Sequence, residues 1–208
     1  ELRYGRIMIM TDADLDGSHI KGLVLNMIHC FWPSLLKLNF VVSMVTPIIK
    51  VGSRQFFTDQ SYRAWLDSNG GQLPRGAKVK YYKGLGTSTS TEAKEYFKKI
   101  SKLTVGFTDD SDTGGAVVLA FDKSRSHARK QWLENHLEHP RELVEYGDVS
   151  DISIYDFIHR DLVNFSMADV TRSIPHMVDG LKPSQRKVMF GCLKRKLTSE
   201  IKVAQLSG

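Results

Sequence analysis

Cysteine is scarce in this 208-residue chain, which has only Cys30 and Cys192. They lie far apart and form neither a CxxC pair nor a zinc spacing. A disulfide scaffold and a zinc module are therefore excluded, and a reducing compartment is expected. No apolar run approaches the ~20 residues that cross a bilayer, so no membrane partner is expected. The opening Glu1-Leu2-Arg3-Tyr4-Gly5-Arg6 leads straight into a short apolar run, which is not the pattern of a signal peptide. There is no G-x-x-x-x-G-K-[ST] sequence, hence no ATP site of that type within the chain, and neither an internal repeat nor a long low-complexity tract. What is present is ordinary for a folded protein. With 41% hydrophobic and 25% charged residues, there is enough apolar side chain to build a core.

The net charge of +6 is unevenly placed. Residues 182–208 hold seven basic side chains (Lys182, Arg186, Lys187, Lys194, Arg195, Lys196, Lys202) against the single acid Glu200. The preceding 181 residues hold 22 of each sign, so the whole excess lies in the last 27. A basic block of this kind marks either a polyanion partner or a solvated helix face.

Hydrophobic spacing reads as α/β followed by helix. Arg6–Thr11 has the continuous apolar pattern of a buried strand. Ser18–Leu38 has helical spacing, with Ser18 as N-cap, Ile20, Leu23, Val24, Met27, Ile28 and Phe31 on one face, and Pro33 ending or restarting it. Strands are expected at 41–46, 48–51 and 79–82, and helices at 59–66, 91–100, 123–137, 152–167 and 184–196. The segment Asp109–Gly115 reads as a polar, flexible loop and 140–151 as a connection.

Between the first strand and helix lies Asp12-Ala13-Asp14-Leu15-Asp16-Gly17. Three carboxylates on alternate positions point one way if the turn is extended, and such a set suits a hard cation, Mg²⁺ or Ca²⁺. An EF-hand loop is excluded because its twelfth position, Leu23, is not the bidentate glutamate required. Asp14-Leu15-Asp16-Gly17-Ser18 also shares the pattern of the haloacid-dehalogenase nucleophile motif. That motif needs its first Asp at the strand end, and Asp14 comes later. A Mg²⁺ site for phosphodiester chemistry is the remaining functional reading, and the C-terminal end of a strand is where α/β sheets bind ligands.

Two further segments carry charge beside glycine. In Tyr81-Tyr82-Lys83-Gly84-Leu85-Gly86-Thr87-Ser88, Lys83 next to two glycines can bring an ammonium close to a phosphate. In Asp179-Gly180-Leu181-Lys182-Pro183-Ser184-Gln185-Arg186-Lys187-Val188, a tight turn precedes a basic helix. Val188, Met189, Cys192 and Leu193 can face a core there while Gln185 and Arg186 face outward, as in a helix-turn-helix recognition element. Arg125, Arg129 and Lys130 are neighbours on one helix, with Trp132 and Leu133 on its other face.

Taken together, Ile7–Gly22, Tyr81–Ser88, Phe121-Asp122-Lys123, Arg129–Leu133, Arg172-Ser173-Ile174-Pro175 and Val178–Val188 resemble, in order, the signatures of eukaryotic-type DNA topoisomerase II. Ala13 and Leu15 depart mildly from the family pattern. Both halves of the pattern lie on one chain, whereas bacterial gyrase and topoisomerase IV divide them between subunits. The resemblance implies an α/β fold, a TOPRIM-like Rossmannoid sheet with flanking helices, followed by a mainly helical winged-helix-type segment. It implies three regions: 1–122 as the C-terminal part of the TOPRIM metal-binding domain, 123–150 as a helical linker, and 151–208 as the beginning of the winged-helix DNA-binding domain.

It further implies that Asp12 and Asp14 hold Mg²⁺ (Mn²⁺ or Ca²⁺ as substitutes) with Asp16 in support. Arg129, Lys130 and Lys182 would contact DNA, with Lys83, Arg186 and Lys187 as further candidates. The implied reaction is Mg²⁺-dependent, ATP-driven passage of one duplex through a transient tyrosyl-linked break in another, by a nuclear homodimer acting on double-stranded DNA. The family's catalytic tyrosine, the acid–base glutamate and the ATPase domain have no counterpart here, so the chain reads as an internal fragment, inactive alone. The other class of function that the residues allow is a non-catalytic, metal-dependent DNA-binding module.

Overall fold

A computed structural model describes residues 2–208. The chain forms two compact units, one running to Phe165 and the other Ser166–Gly208.

The first unit is built on a four-stranded sheet. Strand β1 (Ile7–Ile9), helix α1 (Leu15–Phe31) and strand β2 (Val41–Met44) form a βαβ unit, with β1 and β2 parallel. The chain then leaves the sheet for a small antiparallel one, made by β3 (Ile49–Val51), β4 (Arg54–Phe56) and β5 (Val79–Tyr81) in the order β4-β3-β5, with α2 (Asp59–Ser68) between β4 and β5. Helix α3 (Ser90–Lys98) leads back to β6 (Thr104–Thr108), which pairs antiparallel with β2. Helices α4 (Thr113–Phe121) and α5 (Ser126–Glu138) precede β7 (Asp151–Ser153), parallel to β6. The large sheet therefore runs β1-β2-β6-β7. Its inner strand β2 is buried along its length, as expected for a strand covered on both faces.

From Ile154 the chain stays helical to Ser173 through α6 (Ile154–Asp156), a π turn (Phe157–Leu162) and α7 (Val163–Ser173). The face expected for this segment is the one buried: Ile154, Phe157, Ile158, Leu162 and Phe165 all join the main core with Leu25, Ile28, Val41, Val105 and Phe107. The π turn, which hydropathy does not reveal, lies in the middle of that face.

Several expectations need correction. Of the apolar residues around β1, only Ile9 is buried. Ile7 and Met8 are exposed, because β1 is an edge strand. Helix α1 begins at Leu15, with Asp14 rather than Ser18 as N-cap. It buries Gly17, Ser18, Lys21, Gly22, Leu25 and Ile28 and leaves Ile20, Leu23, Met27 and Phe31 outside. Small residues, not the most apolar ones, set this face: Gly22 lies directly against Phe121 and Leu162. Strands β6 and β7 were not expected. The segment read as a flexible loop after β6 turns into α4 at Thr113, whose hydroxyl bonds Asp110.

The second unit is helical, comprising the end of α7, α8 (Pro183–Lys194) and α9 (Val203–Ser207). The face of α8 expected to meet a core is open, with Val188, Met189 and Leu193 exposed. Forty-odd residues provide too few elements to enclose a core of their own. Among the described residues no helix is long and apolar enough to cross a membrane.

Candidate metal centre and nucleic-acid contacts

The acidic loop joins the C-terminal end of β1 to α1. Its carboxylates do not follow the alternation of an extended turn. Asp14 accepts a hydrogen bond from the backbone N–H of Gly17 at 2.7 Å and caps the helix, while Asp16 already lies in the first helical turn. A side chain at position 17 would have its Cβ 2.1 Å from the carbonyl oxygen of Asp12. Glycine is thus required for the loop to fold back onto the helix.

Asp12 points elsewhere, toward the glycine motif. One of its oxygens accepts the backbone N–H of Leu85 at 2.6 Å. A Cβ at Gly84 would lie 2.7 Å from the Asp12 Cγ. The two sequence motifs, 73 residues apart, meet at this point, and the neighbouring Lys83 is exposed. The glycine loop is itself held from behind. Glu92 accepts from Lys80 Nζ at 2.7 and 2.9 Å, from the Tyr82 hydroxyl at 2.5 Å and from the Thr89 backbone at 2.8 Å. With Thr89 it forms the capping box of α3. These donors, Lys80 foremost, hold the Glu92 carboxyl down to about 2. Burial, followed by the bond to Glu92, pushes the Tyr82 phenol above its ordinary value.

The donors at the loop fit a hard cation. Asp12 and Asp14 each present carboxylate oxygens, and Thr11 Oγ1 beside them is buried without a hydrogen-bond partner. Among the described residues no three His, Cys, Asp or Glu side chains close around one point. The protein would therefore supply one or two carboxylates and leave the remaining positions to water or phosphate oxygens, the usual mode of Mg²⁺. The haloacid-dehalogenase alternative loses its geometry, because β1 ends at Ile9 and Asp14 is a helix cap.

Residues 44–170 match the family described as the C-terminal associated domain of TOPRIM. This chain belongs to that family. Residues 172–208 match a second family, that of the DNA gyrase/topoisomerase IV A-type chain, so both patterns follow each other on one polypeptide. Over its whole length the chain is 48% identical to "Probable DNA topoisomerase 2" of Dictyostelium discoideum, of which it covers 14%. It is 50% identical to DNA topoisomerase 2 of Plasmodium falciparum (isolate K1 / Thailand), covering 15%, and 46% identical to "DNA topoisomerase 2, mitochondrial" of D. discoideum, covering 16%. In all three the whole of this chain is matched. A crystal structure of the Plasmodium falciparum topoisomerase II DNA-binding, cleavage and re-ligation domain superimposes with a TM-score of 0.79 at 49% identity, over 99% of this chain and 28% of that one. The resemblance to eukaryotic-type topoisomerase II and the mixed α/β fold it implied are borne out.

In this TOPRIM-associated chain the basic candidates differ in how far they are already engaged. Arg129 is half-buried, and its Nη1 donates to the carbonyls of Leu119 and Asp122, at 3.1 and 2.6 Å. It ties α5 to the C-terminal end of α4. Lys130 is exposed and lies 3.8 Å from Glu134. In the second unit Arg186 does not face outward freely. Its Nε and Nη2 grip the Asp179 carboxylate, both at 2.8 Å, and hold Asp179 down to about 2. Lys182 is the N-cap of α8, its backbone N–H donating to Gln185 Oε1 at 2.8 Å. Lys187 is exposed.

The residues missed by sequence reading are Lys80, Glu92, Lys21, Tyr146 and Asp161. Glu92 had a visible signal, standing three residues after Thr89 in the capping-box spacing. Lys21 had a weaker one, being a charged residue in step with Gly17, Leu25 and Ile28.

Proposed function

We propose that this chain is the central part of the DNA-cleavage core of an ATP-dependent type II DNA topoisomerase, acting as a homodimer on double-stranded DNA. The chain spans only 14% to 16% of the curated relatives described above, so the activity is that of a longer protein. The observation that carries the reading is the meeting of Asp12 with the Lys83-Gly84-Leu85 main chain, which sets hard-cation ligands beside an exposed ammonium. That pairing suits a phosphodiester.

On this reading Asp12 and Asp14 hold Mg²⁺, with Mn²⁺ or Ca²⁺ as substitutes, and Asp16 supports them. A bound divalent cation would stabilise negative charge on the attacking and leaving oxygens of transesterification. Gly84 leaves the space the Asp12 carboxylate occupies, and Glu92 keeps the loop in place from behind. Lys83, Lys130, Lys182 and Lys187 neutralise backbone phosphates. Arg129 and Arg186 contribute mainly by fixing the helices that present them. The functional division assigns metal binding to residues 1–122, a helical connection to 123–150 and the opening of the winged-helix DNA grip to 151–208. The tyrosine, the acid–base glutamate and ATP hydrolysis belong to other parts of the longer protein. Duplex DNA as substrate places it in the nucleus, although one relative carries a mitochondrial name, and fluorescence localisation distinguishes the two.

The deciding experiment is cleavage of supercoiled plasmid by the full-length protein. Asp12→Ala should abolish Mg²⁺-dependent cleavage while DNA binding survives. Near-normal cleavage by the purified variant would sink the assignment.

A further inference from the structure

Beside the acidic loop is a cavity of about 320 Å³ whose lining includes Thr11, Asp14, Ser18, Lys21, Tyr146 and Asp161. Its polar groups do not await a ligand, because they are bonded to one another around Asp161. Asp161 stands on the π turn, a rare geometry often found at functional positions. One of its oxygens accepts from Ser18 Oγ at 2.7 Å, and the other accepts from the Tyr146 hydroxyl. Ser18 is in the first turn of α1, and its backbone N–H donates to the carbonyl of Asp14 at 3.1 Å. A single carboxylate on a distant helix thus fixes the turn that carries Asp14.

The second observation is charge. Lys21, one turn along α1, is 7% exposed, and its Nζ lies 5.4 Å from the Tyr146 ring centroid. Burial lowers its pKa, and the charges of Asp161 and Asp14, in that order, oppose the effect. The ammonium thus has two counter-charges. Were Asp14 its only one, Lys21 would compete with any cation for that carboxylate, and in a poorly solvated site the competition is strong.

We propose that Asp161 is a positioning residue: it anchors the first turn of α1 through Ser18 and balances Lys21, leaving the Asp14 carboxylate available to a divalent cation. The inference rests on the reading of Asp12 and Asp14 as metal ligands. Partners of this kind typically change metal affinity about 10- to 100-fold when removed.

The test is Mn²⁺ binding to the full-length protein without DNA, read by electron paramagnetic resonance, with thermal unfolding in EDTA as the check on folding. Asp161→Asn keeps the shape and removes the charge. It should weaken Mn²⁺ binding about tenfold or more, and adding Lys21→Met to it should restore most of the loss. A purely structural role predicts no such rescue, since the double variant has lost still more of the network. Wild-type affinity in folded Asp161→Asn, or a double variant as weak as the single one, overturns the proposal. Should Asp161→Asn not fold, Lys21→Met alone decides: affinity equal to or tighter than wild type is expected, and weaker binding overturns it. If wild-type protein binds Mn²⁺ no better than Asp14→Asn, the metal-ligand reading itself fails, and the inference falls with it.

Discussion

The backbone N–H of Leu85 donates to the carboxylate of Asp12 at 2.6 Å, so the glycine motif shapes the acidic loop rather than merely following it in the chain. The neighbouring Gly84 leaves room for that carboxylate and for nothing more. Gly84→Ala would put a Cβ at 2.7 Å from both Asp12 Cγ and Oδ2. The carboxylate is the movable end of a side chain, so it would swing away at little cost to the fold. Displacement of a reactive group by about 1 Å can cost on the order of 100-fold in rate. The expected outcome for Gly84→Ala in the full-length protein is therefore a fall of that order in Mg²⁺-dependent cleavage with an almost unchanged melting temperature. Equal cleavage rates would show that the contact does not matter to the site.

Glu92 makes a different prediction, one about acid. Its carboxyl titrates at about 2 against an ordinary 4.5, because Lys80, Tyr82 and Thr89 all donate to it. A depressed carboxylate contributes stability that is complete above the unfolded value and is lost as pH falls toward the folded one. Glu92→Gln should therefore lower stability at neutral pH by about 2 kcal/mol, the scale of hydrogen bonds to a charged group. The difference from wild type should shrink between pH 4.5 and about 2. Thermal unfolding across that range checks it, and a gap that stays constant with pH would rule out the linkage.

His159 works in the same direction near neutrality. Its Nδ1 accepts the Trp132 indole N–H at 2.9 Å, so the neutral ring is the bonded form. Burial and Arg141 lower its pKa from 6.5, and Asp156 opposes them. Tyr155 covers the ring at 4.3 Å. A lowered histidine leaves stability intact above its unfolded value and removes it as pH falls through the folded one. Trp132 fluorescence and melting temperature should hold steady above pH 6.5 and change below it. In His159→Gln that acid step should be missing, and its survival there would assign the transition to another group.

How much of this was legible depended on what kind of force set each feature. The helix carrying Ile154, Phe157, Ile158, Leu162 and Phe165 was readable because its apolar spacing and its buried face coincide. Helix α1 was not, because it is apolar on two faces and the buried one was chosen by close approach at Gly17, Ser18 and Gly22. Strands β6 and β7 have five and three residues, too short for a period to declare itself, and only pairing defines them. The carboxylates of Asp12 and Asp14 could be named from sequence, but their divergence could not. Capping of α1 by Asp14 and the Leu85 contact are long-range or geometric facts. For the same reason Arg186 looked free, since nothing in its helix periodicity reveals the bidentate bond to Asp179 across the turn.

Arg129 and Lys130 are adjacent in sequence yet should behave oppositely. Arg129 holds two carbonyls at the α4–α5 junction, so Arg129→Ala should destabilise the protein by about 1–3 kcal/mol. Lys130 makes only a long, exposed contact with Glu134, and such pairs contribute little. Lys130→Ala should leave the melting temperature unchanged and weaken binding to all duplexes alike. A large stability loss in Lys130→Ala, or none in Arg129→Ala, would invert these roles.

Lys182 gives the sharpest test of the DNA reading. It caps α8 through its backbone, and among the described residues no ion pair engages its ammonium. A phosphate placed there would meet both the lysine and the N–H groups at the start of the helix. Binding through phosphates is largely independent of sequence and weakens by about 0.9 log unit per log unit of salt for each phosphate neutralised. Lys182→Ala in the full-length protein should therefore lower affinity about equally for unrelated duplexes and reduce the salt slope by about one. Arg186→Ala serves as the contrast, because freeing Asp179 should disturb the turn itself and lower stability. A Lys182→Ala protein with an unchanged salt slope, or one that loses affinity for a single sequence only, would show that the basic excess of residues 182–208 does not meet DNA at this position.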